Sequence, residues 1–230
     1  MRKEHDMALT LYWASGSPFA WSVMLALACK GLSCESRRLD MSQGEHKTPQ
    51  FLALNPRGKV PVLVDGDAVI TESLAILAYV DALQPEPPLF GTGALARARV
   101  MEALSSVMSY LEPALFPIPM QVFFKPWDEA GQDAVRRAIP AALAELEKVE
   151  AVLAGHDALA GSDLSVADLR LYPVLRFFWR AWIVVEKKGG VPELASLQRD
   201  RFPAIDGWCG RIEALPGFAD TVPPHWVRKD

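Results

Sequence analysis

The sequence predicts a chain in two parts, a small α/β domain followed by an all-α helical bundle. Three observations predict it. The first third alternates short strand-like runs with helical ones, as β-α-β and then β-β-α. A proline-rich break, QPEPPLFGTG, interrupts that pattern. Beyond the break only the helical period recurs, with no convincing strand. The implied boundaries are 7–84 for the α/β domain, 85–92 for the linker and 93–230 for the helical domain.

Each element has a local cause. Met7 to Trp13 is a short apolar run of strand-forming residues. Pro18 to Lys30 reads as a helix, with proline in its first turn and Gly31 just past its end. Ser33 to Leu39 suits a second strand. TPQFLALNPRGK holds a short helix closed by the turn Asn55-Pro56-Arg57-Gly58. VPVLVDGDAVI is two strands joined at Asp65-Gly66, a hairpin dipeptide. TESLAILAYVDAL is a helix with Thr71 as its expected N-cap.

In the helical part, Val100, Leu104, Val107, Met108 and Leu111 mark a helix from Ala94 to Leu115. Leu143, Leu146, Val149 and Leu153 mark another from Gln132 to Leu153, with a kink or a later start expected at Pro140. Helices over Leu164 to Val185 and Phe202 to Leu215 complete the domain.

Composition narrows the function. Of 230 residues, half are hydrophobic and 23% charged, with a formal charge of −4. This is a globular composition without the basic footprint of nucleic-acid or anionic-membrane binding. No apolar run reaches the roughly 18 residues that span a bilayer, and MRKEHDMALT lacks the apolar stretch of a secretion signal. Cys29, Cys34 and Cys209 are odd in number and form no C-x-x-C. They fit free thiols in a reducing cytoplasm, with neither a disulfide framework nor a metal site. Cys29, in an apolar helical run, reads as a buried structural thiol.

Four segments could carry chemistry. ASGSPFAWSV (14–23) lies between a strand and a helix but lacks the second glycine of a G-x-S-x-G elbow and any phosphate-loop spacing. The histidines His5, His46, His156 and His225 supply no evident base for a nucleophilic serine. Ser15 or Ser17 either caps the helix or donates a hydrogen bond to an anion held by the helix start, which for a thiol lowers its pKa. In GKVPVL, Val60-Pro61 is either an edge-strand proline or a cis turn whose backbone can pair with an extended ligand. In DAVITESLAIL, Glu72 and Ser73 either suit a helix start or grip an ammonium and a carboxylate. In GSDLSVADLRLYP, Ser165 and Asp168 form a capping box, a structural reading.

Taken together, SPFA at a helix start, LNPRGKVPVL, ITESLAILAYV, the proline-rich linker and SDLSVADL resemble a cytosolic glutathione transferase, in family order and over nearly the whole chain. The resemblance implies a thioredoxin-like glutathione-binding domain, a helical C-terminal domain and a homodimer. Ser17 matches the serine before Pro-Phe in tau-like members, where it stabilises the glutathione thiolate, with Ser15 as a rival; omega-like members carry cysteine there. Serine cannot form the mixed disulfide of their thiol–disulfide exchange. Val60 and Pro61 match the cis-proline turn that pairs with the cysteinyl part of glutathione. Glu72 and Ser73 match the pair on its γ-glutamyl end, and Lys59, with His46 or Lys47, the cluster near its glycine carboxylate. Phe19 belongs with these glutathione-binding residues and borders the electrophile site, which the resemblance sets between the domains, with Tyr110, Phe116, Trp179 and Trp182 as candidates. For each of these aromatics ordinary core is the rival reading. SPFAWSV departs from many relatives in having no basic residue until Lys30.

The expected function is addition of the glutathione thiolate to hydrophobic electrophiles in cytoplasmic detoxification, with glutathione as co-substrate. The alternatives are a glutathione-dependent isomerase of the maleylacetoacetate type, whose usual SSC-like cluster is missing, and a non-catalytic binding protein on the same fold.

Overall fold

The computed structural model describes residues 9–226, so residues 7–8 of the expected first strand lie outside the described residues. The chain forms two units, one running to Leu89 and taken up again from Leu215, the other Phe90–Ala214.

The first unit is built on β1 (Leu9–Trp13), α1 (Pro18–Cys29), β2 (Cys34–Arg38), α2 (Pro49–Leu54), β3 (Val62–Asp65), β4 (Ala68–Thr71) and α3 (Ser73–Leu83). The sheet order is β2-β1-β3-β4, with β1 and β2 parallel and the other pairs antiparallel. β2, CESRR, is the charged and largely exposed edge, a composition that discourages pairing with a further chain. Leu11, Val62 and Leu63 of the sheet, Val23, Leu25 and Ala26 of α1 and Ile76, Leu77 and Val80 of α3 are buried and form the core of this unit, in which α3 packs on α1 and β3.

The hairpin turns at Gly66-Asp67, since Asp65 already pairs with Ala68; Gly66 takes φ 59°, which favours glycine. Thr71 is the last residue of β4, held by pairing with Val62, so the N-cap position of α3 falls to Glu72 and not to Thr71. The proline-rich segment is tied down by Lys30. Its buried ammonium meets Asp81 at 2.6 Å and the carbonyls of Pro85 and Pro87, while Asp81 also accepts from the Leu89 N–H at 2.8 Å.

The second unit contains α4 (Gly93–Ser106), a π-helical turn (Val107–Leu111), α5 (Glu112–Leu115), α6 (Pro117–Phe124), α7 (Glu129–Gly155), α8 (Val166–Lys188) and α9 (Pro203–Glu213). The sequence reading missed α6, whose two prolines mask its helical period. Pro140 neither starts nor ends α7; the helix begins earlier, at Glu129, with Asp128 as the N-cap whose carboxylate accepts from Gly131 N–H at 2.9 Å. Asp168 in α8 is fully buried and accepts from Ser165 N–H, Ser165 Oγ, Leu159 N–H and Trp208 Nε1 at 2.7–2.9 Å, so the expected capping box is present and extended.

The helical domain therefore stops short of its expected end. From Leu215 the chain rejoins the first unit, where α10 (Phe218–Thr221) packs on α1. The cause is Trp21, whose Nε1–H donates to Thr221 Oγ1 at 2.9 Å and whose ring meets Trp226 edge-on at 5.1 Å. An apolar surface with one polar handle suits such docking.

Candidate active site

The register of the sheet sets the site. Tyr12 lies opposite Val62, and Val62 opposite Thr71, so these residues form one row across β1, β3 and β4. Because β3 runs against both neighbours, the segment after β1, the segment before β3 and the segment after β4 all leave the sheet at one end. Ser15 and Ser17, then Lys59, Val60 and Pro61, then Glu72 and Ser73 are therefore gathered there. β2, parallel to β1, ends at the same side, and the segment that follows it carries His46 and Lys47 in a 3₁₀ turn.

Ser17 is the N-cap of α1, and its Oγ accepts from the Ala20 N–H at 3.3 Å. Cap and chemistry are compatible here. The oxygen is used as an acceptor, while the hydroxyl proton remains to be donated. Phe19 sits half-buried in the first turn, its carbonyl accepting from Ser22 Oγ at 2.8 Å.

Val60-Pro61 is cis, as the resemblance implies and against the edge-strand alternative. The turn before it is fixed by buried Asn55, which donates from Nδ2 to Lys59 O at 2.8 Å and accepts at Oδ1 from Arg57 N–H at 3.1 Å. Gly58, at φ 58°, lies so near the His46 carbonyl that a Cβ would stand 3.0 Å from it, which brings the His46 turn against the Lys59 turn. Lys59 is exposed, and His46 Nδ1 is buried without a hydrogen-bond partner among the described residues.

Glu72 has φ 67°, the one positive φ at a non-glycine position among the described residues. Such a conformation costs about 1–3 kcal/mol in a residue with a side chain. Its carboxylate is exposed and faces Arg57 at 3.9 Å. Ser73 opens α3 and is half-buried.

The expected electrophile residues are not gathered in the same way. Tyr110 is 64% exposed and lines a groove of about 690 Å³ between α4 and α7, together with Arg99, Val107, Val149 and His156. Phe116 packs on Phe177 at 6.2 Å. Trp179, buried, and Trp182 donate their indole N–H groups to Leu197 O and Leu194 O, holding the segment after α8. Buried Trp179 thus has the satisfied polar handle of a core residue, and half-buried Trp182 has its N–H occupied in the same way.

The cysteines are not built as nucleophiles. Burial pushes the Cys29 thiol up to about 11 and Cys209 up to about 12, and raises Cys34. At neutral pH all remain thiols. Cys29 is half-buried, not buried as the sequence reading has it.

Sequence reasoning missed two partners. Arg57 reaches Glu72, and His225 reaches Ser15, with Nδ1 2.5 Å from Oγ. The histidine lies 210 residues away along the chain, and no spacing pattern links the two.

Comparison with known proteins shows the family of the chain. Residues 7–82 match the family model for the glutathione S-transferase N-terminal domain, and residues 129–211 that for the C-terminal domain. The chain is 36% identical to glutathione S-transferase Z1 of Arabidopsis thaliana over 221 residues, covering 96% of this chain and 93% of that one. Among solved structures, a glutathione S-transferase from the Antarctic clam Laternula elliptica has 28% identity and a TM-score of 0.78, covering 97% of this chain and 95% of that one. A glutathione transferase from Phanerochaete chrysosporium, in complex with oxidized glutathione, has 26% identity and a TM-score of 0.77, with 94% and 96% covered.

Proposed function

The chain belongs to the glutathione S-transferase family, and from that premise we propose that it acts as a serine-type transferase with Ser17 as its catalytic residue. The observation that carries this reading is the shared end of β1, β3 and β4, where three short segments offer groups suited to three parts of one tripeptide.

Glutathione bears a thiol, an ammonium and two carboxylates. Glu72 takes the ammonium, while Ser73 and the first-turn N–H groups of α3 take the γ-glutamyl carboxylate. The Val60 backbone pairs with the cysteinyl residue beside Pro61. Lys59 and His46 face the glycine carboxylate, a role supported by His46 Nδ1, which has no hydrogen-bond partner among the described residues. Phe19 borders the sulfur. Ser17 donates its hydroxyl proton to the thiolate at the positive end of α1, which lowers the thiol pKa.

The sulfur lone pair then forms the new C–S bond, and the displaced electrons leave on the electrophile's leaving group or acceptor atom. No covalent enzyme intermediate is needed; proximity and anion stabilisation carry the rate. A hydrophobic electrophile completes the reading, and of the expected electrophile residues exposed Tyr110 lines an open groove. Free thiols at Cys29, Cys34 and Cys209 support a reducing, cytoplasmic setting, and detoxification is the role proposed with the transferase reading.

Glu72→Gln tests the peptide assignment. Loss of a charge-assisted hydrogen bond is expected to raise the KM for glutathione about tenfold and leave kcat near wild type. An unchanged KM in steady-state kinetics, with unchanged calorimetric affinity, overturns it. Including a cis-dienone diacid among the substrates separates transfer from isomerisation, because an isomerase returns glutathione unconsumed.

The family premise also supports a homodimer. Sedimentation velocity at micromolar concentration is expected to give twice the chain mass, and a monomer overturns that expectation.

A further inference from the structure

The contact between Ser15 and His225 has the look of a nucleophile with its base, but its chemistry runs the other way. Trp226 Nε1–H lies 2.8 Å from His225 Nε2. An indole nitrogen can only donate, so Nε2 of the neutral imidazole is the acceptor and Nδ1 carries the proton. Nδ1–H therefore donates to Ser15 Oγ at 2.5 Å. A base that must remove the serine proton needs the opposite tautomer, so this pair is not a hydrolytic dyad.

The same relay holds the loop that delivers Ser17. The His225 ring lies over Gly16, where a Cβ would meet its Cε1 at 3.2 Å, and Gly16 has φ 88°. Trp226 is itself seated on Trp21 of α1, and Trp21 is tied to Thr221. Ser15 and Gly16 are thus clamped between β1 and the returning C-terminal segment, and Ser17 follows at once. The clamp stands where SPFAWSV has no basic residue of its own to support the thiolate.

Resting on the reading of Ser17 above, we infer that His225 is a positioning residue for the transfer reaction: through Ser15 it fixes the loop that aims the Ser17 hydroxyl at the glutathione sulfur. Its oxygen engaged by Nδ1–H, Ser15 keeps its own proton as a further donor at the helix start.

The test compares His225→Phe, which keeps the ring and removes the N–H, with His225→Asn, which offers an amide N–H at similar reach. In the full chain His225→Phe is expected to lower kcat about five- to tenfold and shift the bound-thiol titration to higher pH, with the glutathione KM unchanged. His225→Asn is expected to recover at least half of the lost kcat. A wild-type kcat and titration in His225→Phe overturns the inference, and so does an equal loss in both variants.

Should His225→Phe not fold, Trp226→Phe decides: about a two- to threefold loss of kcat supports the relay, and none overturns it. Ser17→Ala in the same assay separates the two readings. If it leaves the thiol titration unchanged, the assignment of Ser17 falls. If it shifts the titration while His225→Phe does not, only the role of His225 falls.

Discussion

Ser17→Ala is expected to lower the transfer rate at neutral pH by about 10- to 100-fold while leaving glutathione affinity nearly intact. The magnitude follows from the bond removed. A hydrogen bond to a charged group contributes about 1.5–3 kcal/mol, which corresponds to roughly one to two pH units in the ionisation of the bound thiol. The sign is determined by which form the hydroxyl favours. In the proposed role Ser17 stabilises the thiolate, so its loss is expected to raise the thiol pKa and shrink the reactive fraction at neutral pH. At high pH the thiol ionises without help, and the variant's rate should climb towards that of the wild type. A pH–rate profile together with ultraviolet titration of the bound thiolate checks both limbs.

The capping role of Ser17 complicates that experiment, because the same oxygen accepts from Ala20 N–H. Alanine at an N-cap costs about 1 kcal/mol, whereas glycine costs only a few tenths. Ser17→Gly should therefore retain thermal stability and lose the same activity as Ser17→Ala. If it instead keeps wild-type activity, the serine is only a cap.

Asp168→Ala is expected to give the largest loss of stability, about 3–5 kcal/mol. The carboxylate is fully buried and receives Leu159 N–H, Ser165 N–H, Ser165 Oγ and Trp208 Nε1, which join the start of α8 to the preceding loop and to α9. Removing it leaves buried donors unsatisfied, a costlier event than losing the bonds alone. In thermal unfolding of the helical unit the midpoint should fall by about 10 °C. Asp168→Asn keeps the shape and one acceptor oxygen and should cost less than the alanine variant. A midpoint shift of under 2 °C in Asp168→Ala, roughly what 1 kcal/mol or less produces, would contradict this account.

Much of the first unit was legible because local rules and tertiary demands agree. Proline at the start of α1, the Asn55 turn and the period of α3 each specify the element that forms. The grouping of the candidate site residues at one end of the sheet was legible only through resemblance, since no single segment reveals that Tyr12, Val62 and Thr71 share a row. Thr71 was misread as a cap because its propensity suits that position, while strand pairing with Val62 overrides it. Pro140 lies exposed in α7, where a helix loses one hydrogen bond and can continue through the proline. The aromatics Trp179 and Trp182 illustrate a different limit: sequence shows their type and helical spacing, but not that Leu197 and Leu194 occupy their N–H groups. His225 was out of reach for a simpler reason. Its contact depends on where Trp21 anchors the returning chain.

That return makes the first unit discontinuous in sequence, with the helical unit inserted before its last piece. During synthesis, residues 90–214 leave the ribosome before the segment that seats on Trp21. The sheet and its helices can form early as the chain emerges. The clamp on Ser15 and Gly16 cannot close until the polypeptide has passed through the whole second unit. A nascent chain halted before Leu215 would thus lack the clamp on this loop, whatever the state of its sheet.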